Sequence, residues 1–358
     1  MNKKKCVKCH INFVTLIMFG IFSKKERAAL DVCNMPTILA LSCVRYRIRN
    51  DIMSAFPFWR CSLIDPVIFS IKLFGGLTLT LRWYGVLVML GVIVAAWIAE
   101  RELSRRGENA EHIWNSLVWA LPVGVVGARL WYVVNTTLGG NSYYMDNPAQ
   151  ILNIPAGGLH FFGGLLFGAL AMYFYVRHYN LDLWLLLDVA APVTMIGQAV
   201  ARPANFINQE LYGQPTTLPW GIPIQAQHRI PPYDDMTLYP ESTRFHPTFA
   251  YEMLWNFVTA GTLLWLARRF PEKFKPGALF GWWLVVAGVG RFIIEFFRPD
   301  QPRIPGTQVS YSGLVSALMA LGGVFTLLVR YGFLRLKFAE QWEQSYRIAS
   351  QLGEAKAQ

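Results

Sequence analysis

Seven stretches of mostly apolar residues, separated by polar turns, set the plan of the chain: 79–99, 113–135, 158–177, 183–201, 248–267, 277–297 and 312–330. Each is close to the roughly 20 residues a helix needs to cross the hydrocarbon core of a bilayer. No charged residue interrupts 149–176 or 304–329. The others carry ionisable residues inside or at the edge of the apolar run: Arg82, Arg129 and Arg291 in the first, second and sixth, Asp188 and Glu252 in the fourth and fifth. The pattern predicts an all-α fold, a polytopic membrane helical bundle with about seven transmembrane helices. In the third segment Gly164 and Gly168 form a small-xxx-small pair suited to close helix contact. The longest polar stretch, 202–247, carries Pro203, Pro215, Pro219, Pro223, Pro231, Pro232, Pro240 and Pro247. Proline at that density prevents long helices, so the stretch is expected to form an ordered extracytoplasmic cap.

Composition agrees with a membrane protein. Hydrophobic residues make up 54% and charged residues 15%, where a soluble domain carries about 25% charged. A set of soluble domains, a disordered chain, a disulfide scaffold and a fibrous repeat are excluded. The net charge of +11 is uneven: residues 1–52 hold ten Lys and Arg against three Asp and Glu. All five cysteines, Cys6, Cys9, Cys33, Cys43 and Cys61, lie in the first 61 residues. The rest of the chain therefore has no disulfide, cysteine metal site or cysteine nucleophile of its own. Cys6-Val-Lys-Cys9-His10 matches the short haem-attachment pattern. An apolar run follows at once, and no haem is expected.

Lys and Arg in alternate loops orient the bundle. One side, including the tail from Arg330, collects thirteen and the other five. The C-terminus is thus expected in the cytoplasm and the body's N-terminus outside. The basic leader contradicts that orientation. Its apolar run, 11–22, is too short to span and resembles a signal core. Residues 1–63 are expected to be a dispensable extension, or translation to start within it, for instance at Met53, leaving 1–52 untranslated. The body should occupy 64–335 and a cytoplasmic tail 336–358.

The ionised residues inside spans are the first candidates for chemistry, because they are costly there and face a partner or a wet cavity. Arg291 and Glu295, four apart, share a helix face; a self-contained packing pair is the alternative. Residues 198–215, QAVARPANFINQELYGQP, are the densest polar cluster. Arg202 there can clamp a phosphate with its planar fork, Asn205 and Asn208 can hold oxygens, and Gly213 allows close backbone approach. His160 lies among four glycines in GGLHFFGGLLFG, and His246 precedes Pro247 in RFHPTFAYE.

Several blocks together resemble the bacterial prolipoprotein diacylglyceryl transferase family: IDPVIFSI (64–71), RWYG (82–85), GARLWYV (127–133), the glycine pairs of 157–165, R–NFINQELYG (202–213), HP–YE (246–252) and GRFIIEFFRPD (290–300). The likeness runs over about 64–335. It implies a seven-span enzyme of the inner membrane. The reaction implied moves diacylglyceryl from phosphatidylglycerol to the lipobox cysteine thiol in a prolipoprotein signal peptide. A thioether forms and glycerol 1-phosphate leaves. No cofactor or metal and no nucleic-acid partner is expected. Carried over position by position, the catalytic set is Tyr84, Asn205, Glu210, Arg291 and Glu295, with His160 as the nearest histidine to the family's own. The lipid-binding set is Arg202, Arg291, Gly213, Asn208 and Arg129. Arg202 and Arg291 would neutralise the phosphate as it leaves, with Glu210 and Glu295 orienting them.

Three departures stand out. Phe162 occupies the position where many members have a histidine, and His160, two places earlier, falls on a different helix face. The usual R-x-G-N reads Arg202-Pro203-Ala204-Asn205. A glutamine near the start of the last helix is replaced around Leu314. A non-catalytic phospholipid-binding membrane protein is the alternative these departures leave; a transporter, suggested only by the intramembrane charges, lacks the repeat expected of one.

Overall fold

The computed structural model of the chain describes residues 64–72, 78–154, 157–298, 300–307, 309–339 and 344–348. The leader, with its Cys6-x-x-Cys9-His10 pattern and signal-like run, lies outside the described residues. All described residues belong to one compact unit, 60–358.

Helices dominate. Seven of 18 residues or more are described: α1 Trp83–Arg105, α2 Glu111–Leu138, α3 Phe161–His178, α4 Leu183–Ala201, α5 Thr248–Arg269, α6 Ala278–Glu295 and α7 Tyr311–Arg330. Five helical segments are long and apolar enough to cross a membrane: α1, α2, Leu183–Ile207 (α4 with the turn after it), α6 and α7. The other two helices carry polar ends, Arg177 and His178 on α3 and Arg268 and Arg269 on α5, and α5 also buries Glu252.

The expected first span begins too early. Residues 78–82 form strand β2 (Thr78–Arg82), paired antiparallel with β1 (Val67–Lys72). The run Thr-Leu-Thr-Leu-Arg alternates with period two, which a strand satisfies and a helix does not. The helix starts only at Trp83.

The helices pack as pairs, α1 with α4, α2 with α3 and α6 with α7, while α5 joins α4 to α6. Glycine sets the close approaches. A Cβ on Gly91 of α1 would stand 2.4 Å from the Gly197 carbonyl of α4. Between α2 and α3, a Cβ on Gly163 would meet Gly127 O at 2.4 Å. Gly164 and Gly168, the expected contact pair, sit in ordinary contact with α2 beside it. Leu103, Leu185 and Val189, each at most 1% exposed, share one core cluster between α1 and α4. Gly91 opposite Gly197, with Leu103 near Leu185, makes this pair antiparallel.

Residues 208–247 follow α4 and the short turn after it and pair among themselves. Strands β3 (Ile222–Pro223) and β4 (Arg244–Phe245) pair inside the segment. Buried Arg229 donates to the Ile224 carbonyl at 2.9 Å and the Tyr239 carbonyl at 2.5 Å, and lies over the Phe245 ring. Phe245 is itself fully buried. A small apolar core with one arginine tying the chain's carbonyls is how a proline-rich segment holds a shape without long helices.

Not all of the tail is free. The Tyr346 hydroxyl donates to Asp188 of α4 at 2.7 Å and accepts from Arg106 at 2.9 Å, and Arg347 N–H donates to Asp182 at 2.8 Å.

Candidate active site

Four helix ends meet beside the 208–247 segment. Arg202 follows the last residue of α4. Glu252 is the fifth residue of α5. Arg291 and Glu295 close α6, and Ser312 opens α7. The antiparallel run of α4 against α5 is visible in two successive rungs. Arg202 pairs with Glu252, and one turn deeper Asn256 donates to Gln198 at 3.5 Å.

Glu252 is the centre. One carboxylate oxygen takes Arg202 and the other takes Arg291 Nη1 at 2.9 Å. Arg291 also reaches the Ser312 hydroxyl with Nε at 3.2 Å and Nη2 at 3.1 Å, and its Nη2 lies 3.1 Å from Glu295. Glu295 therefore joins by charge rather than by aligned hydrogen bonds: neither of its buried oxygens accepts one. The Arg291–Glu295 pair is not self-contained, because Arg291 divides itself among three partners.

From Arg202 the network runs outward. Its Nη1 donates to Asn205 Oδ1 at 3.4 Å. Asn205 donates to Glu210 at 2.9 Å and Asn208 to the same oxygen at 3.1 Å. Glu210 thus orients two asparagines, where an arginine was expected. Gln209 and Leu211 on either side of it have positive φ, 53° and 55°. Such backbone costs about 1 kcal/mol or more per residue and is kept where surroundings demand it. Here it turns the chain sharply enough to return Glu210 to Asn205.

Two arginines and two carboxylates balance in charge. The arginine side chains remain 22% and 28% exposed, against 9% for Glu252. A guanidinium has five N–H donors, so donors are left for an anion arriving from the open side.

The remaining expected residues fall elsewhere. Tyr84, on the first turn of α1, is 46% exposed. The antiparallel pairing of α1 with α4 puts it at the Arg202 end of the bundle. Gly213 is a packing residue: a Cβ there would meet the Phe297 carbonyl at 2.7 Å and His246 Cβ at 2.8 Å. Arg129 is buried and spends its fork on carbonyls, of Gln150 at 2.6 Å, Ile151 at 2.9 Å, Gly157 at 2.5 Å and Gly158 at 3.1 Å. It holds the 150–158 loop rather than presenting a free fork. His160 precedes α3 and contacts Trp131 and Phe162, with its Nδ1 buried and without a partner among the described residues. Phe162 is 57% exposed. Glu252 and Ser312 were not singled out as site residues, although the HP–YE block ends on Glu252.

Nearby, His246 packs against Phe297 and shares a 3.0 Å hydrogen bond with the Tyr251 hydroxyl. Burial holds its pKa below the usual histidine value. Arg298 and Asp300 form a closed pair. Burial alone would raise the Asp300 carboxyl, but its bonds to Arg298 outweigh this and hold it below the usual range. Among the described residues no group of His, Cys, Asp or Glu is placed to hold a metal ion.

The fold and the cluster together define a multi-pass helical membrane protein with an ionised, partly open cluster where four helix ends converge. Comparison with known proteins gives the family. The family model described as prolipoprotein diacylglyceryl transferase matches residues 66–329. The phosphatidylglycerol–prolipoprotein diacylglyceryl transferase of Chloroflexus aggregans is 40% identical over 258 residues, 70% of this chain and 83% of the relative. The protein of that name from Enterococcus faecalis is 33% identical over 283 residues, 78% of this chain and 96% of its own. The chain belongs to the prolipoprotein diacylglyceryl transferase family.

Proposed function

We propose that the protein transfers the diacylglyceryl group of phosphatidylglycerol to the lipobox cysteine of prolipoproteins in a bacterial inner membrane. One observation carries the reading: Arg202 and Arg291, from separate helices and 89 positions apart, converge on Glu252 with donors still open. Two guanidinium groups side by side repel. A carboxylate shared between them makes their proximity stable in a partly dry site, and sets the spacing at which a phosphate can meet both.

In the reaction the substrate thiol gives up its proton, which the phosphate monoester product takes up in the net balance, and its sulfur attacks the glyceryl carbon that bears the phosphate ester. The carbon–oxygen bond breaks, the electron pair stays with glycerol 1-phosphate, and the carbon–sulfur thioether forms. Arg202 and Arg291 stabilise the charge growing on the leaving phosphate, the electrostatic effect usually largest in such chemistry. Glu252, Glu295 and Ser312 hold Arg291, while Glu252 and Asn205 hold Arg202. Glu210 and Asn208 keep Asn205 in place. Tyr84 offers a hydroxyl at the same end. Arg129 acts at a distance, by fixing the loop before α3. Gly213 brings the 208–247 segment against the 297 backbone. His160 is left outside the arginine cluster, and Phe162 presents an aromatic face at the position where the family resemblance implies a histidine in many members. The acceptor thiol comes from the prolipoprotein, since residues 62–358 contain no cysteine.

In the same reading all seven helices span, the 208–247 segment caps the outer face, the tail is cytoplasmic and residues 64–335 are the catalytic body.

The test is conversion of a lipobox peptide to its diacylglyceryl form by membranes containing the protein, with labelled phosphatidylglycerol as donor. Conversion by the wild type and its loss in Arg291→Ala are expected. No conversion, with phosphatidylglycerol still bound, identifies a lipid-binding relative that has lost the chemistry. Phe162→His measured alongside shows whether a histidine there raises the rate.

A further inference from the structure

The β1–β2 hairpin buries neither of its faces in the rest of the described protein. Its register sets Phe69 opposite Leu81 and Ser70 opposite Thr80, and further along Ile71 opposite Leu79 and Lys72 opposite Thr78. Residues directly opposite share a face, and successive residues alternate. Phe69, Ile71 and Leu81 therefore line one side, Ser70 and Thr80 the other. The apolar side is bare: Phe69 is 45%, Ile71 49% and Leu81 37% exposed. The polar side carries an exposed hydrogen bond between the Ser70 and Thr80 hydroxyls at 3.1 Å. An isolated two-stranded hairpin is marginal in water, and one that shows an apolar face to water is worse.

Its position limits what can cover that face. Arg82 ends β2 and is also the cap of α1, so no linker separates the ribbon from a helix apolar enough to cross a membrane. Trp83 N–H donates to the Pro66 carbonyl at 3.1 Å, tying the other end of the hairpin to the same point. Trp83 and Tyr84 at the junction are the residue types that sit at headgroup level. The exposed Arg82 beside them suits lipid phosphates.

We infer that the β1–β2 hairpin is an amphipathic ribbon lying in the membrane interface, with Phe69, Ile71 and Leu81 turned into the acyl-chain boundary and Ser70 and Thr80 turned to water. A helix achieves this with a 3.6-residue stripe; the ribbon does it with period two. The inference rests on α1 crossing the membrane and does not depend on the transfer reaction.

The test places nitroxide labels on the full-length protein in vesicles containing phosphatidylglycerol. Cys6, Cys9, Cys33, Cys43 and Cys61 are first replaced by serine, which leaves the chain free of cysteine. Single cysteines are then introduced and labelled at positions 69, 70, 71, 80 and 81. Collision rates with oxygen, which concentrates in lipid, and with a water-soluble nickel chelate are compared. The expected result alternates: oxygen dominates at 69, 71 and 81, and nickel at 70 and 80. Nickel access at all five positions would place the ribbon in water and overturn the inference. Shielding of 69, 71 and 81 from both reagents would overturn it too, by showing a protein-covered face.

Discussion

At one end of the bundle, Asp188 of α4 is fully buried and closed off. It accepts the backbone N–H groups of Gly277 at 2.5 Å and Phe280 at 2.7 Å, and the Tyr346 hydroxyl. Glu102 of α1 is 1% exposed and takes Arg105 at 2.9 Å and Arg268 at 2.5 Å. At the other end, Glu252 is nearly as buried, yet the two arginines it holds remain partly open. Both ends use carboxylates and arginines, and both tie helices together. They differ in what is left over. Asp188 takes three N–H and O–H donors and is sealed from outside, so it fixes α4 against α6 and the tail. Glu252 leaves donors unspent on its partners. Buried charge therefore does not by itself mark a functional site; unfilled hydrogen-bonding capacity facing an opening does.

The contrast can be broken by substitution, and the largest effect is expected at its centre. Glu252→Gln leaves two guanidinium groups facing each other around a neutral amide. Unpairing a buried charge costs about 3 kcal/mol, so the variant should melt earlier in detergent and also lose transfer. A variant that loses transfer with an unchanged melting temperature would show that the carboxylate does not hold the arginines together. Arg202→Ala should do the reverse of a structural change, cutting conversion about 100-fold, as removal of a transition-state donor does, with little shift in melting. Full activity in this variant would remove the phosphate clamp from the mechanism.

At the closed end, Asp188→Asn should cost about 2 kcal/mol, the scale of hydrogen bonds to a charged group. KM for phosphatidylglycerol should stay put; a change in KM without a change in stability would erase the division between the two ends. A smaller effect is expected from Ser312→Ala, which removes a neutral acceptor from Arg291. About 1 kcal/mol corresponds to roughly a fivefold drop in kcat/KM, readable in the peptide assay.

The smallest effect concerns pH. Burial lowers the His246 pKa, so the unfolded chain takes up its proton before the folded one does. The stability this buried neutral ring contributes is complete above the ordinary histidine pKa and fades as pH falls through and below it. Melting temperatures of the wild type and His246→Asn, compared over that acidic window, should converge as pH falls. Parallel curves would count against the assignment.

The helices were largely legible in advance. Residues 183–201 match α4 end to end, and six more apolar segments coincide with helices to within a few residues. Burial of an apolar side chain in lipid or against a neighbour leaves a periodic trace in the sequence, and proline and glycine mark its ends. The start at 79, four residues early, ignored a period-two run that was there to be read. Most of the candidate site was visible as motifs, but not how its parts connect. Glu252 stands 50 residues from Arg202 and 39 from Arg291, and although it ends the HP–YE block, nothing local says which charges it meets. Ser312 is one hydroxyl among several. Tyr346 lay in a stretch read only as tail.

What the sequence by itself determined, then, is the helical pattern, the membrane-type composition, a body without cysteine and the family resemblance. These follow from local periodicity and residue chemistry. Only the tertiary structure decided which charges meet. That depends on how closely and in which direction helices pass, set here by contacts such as Gly91 against Gly197. It also depends on how many donors each arginine has left once its neighbours are served. Arg129 and Arg291 look alike in an apolar run: one has turned its fork onto loop carbonyls, and the other is shared among Glu252, Glu295 and Ser312 at a half-open helix end.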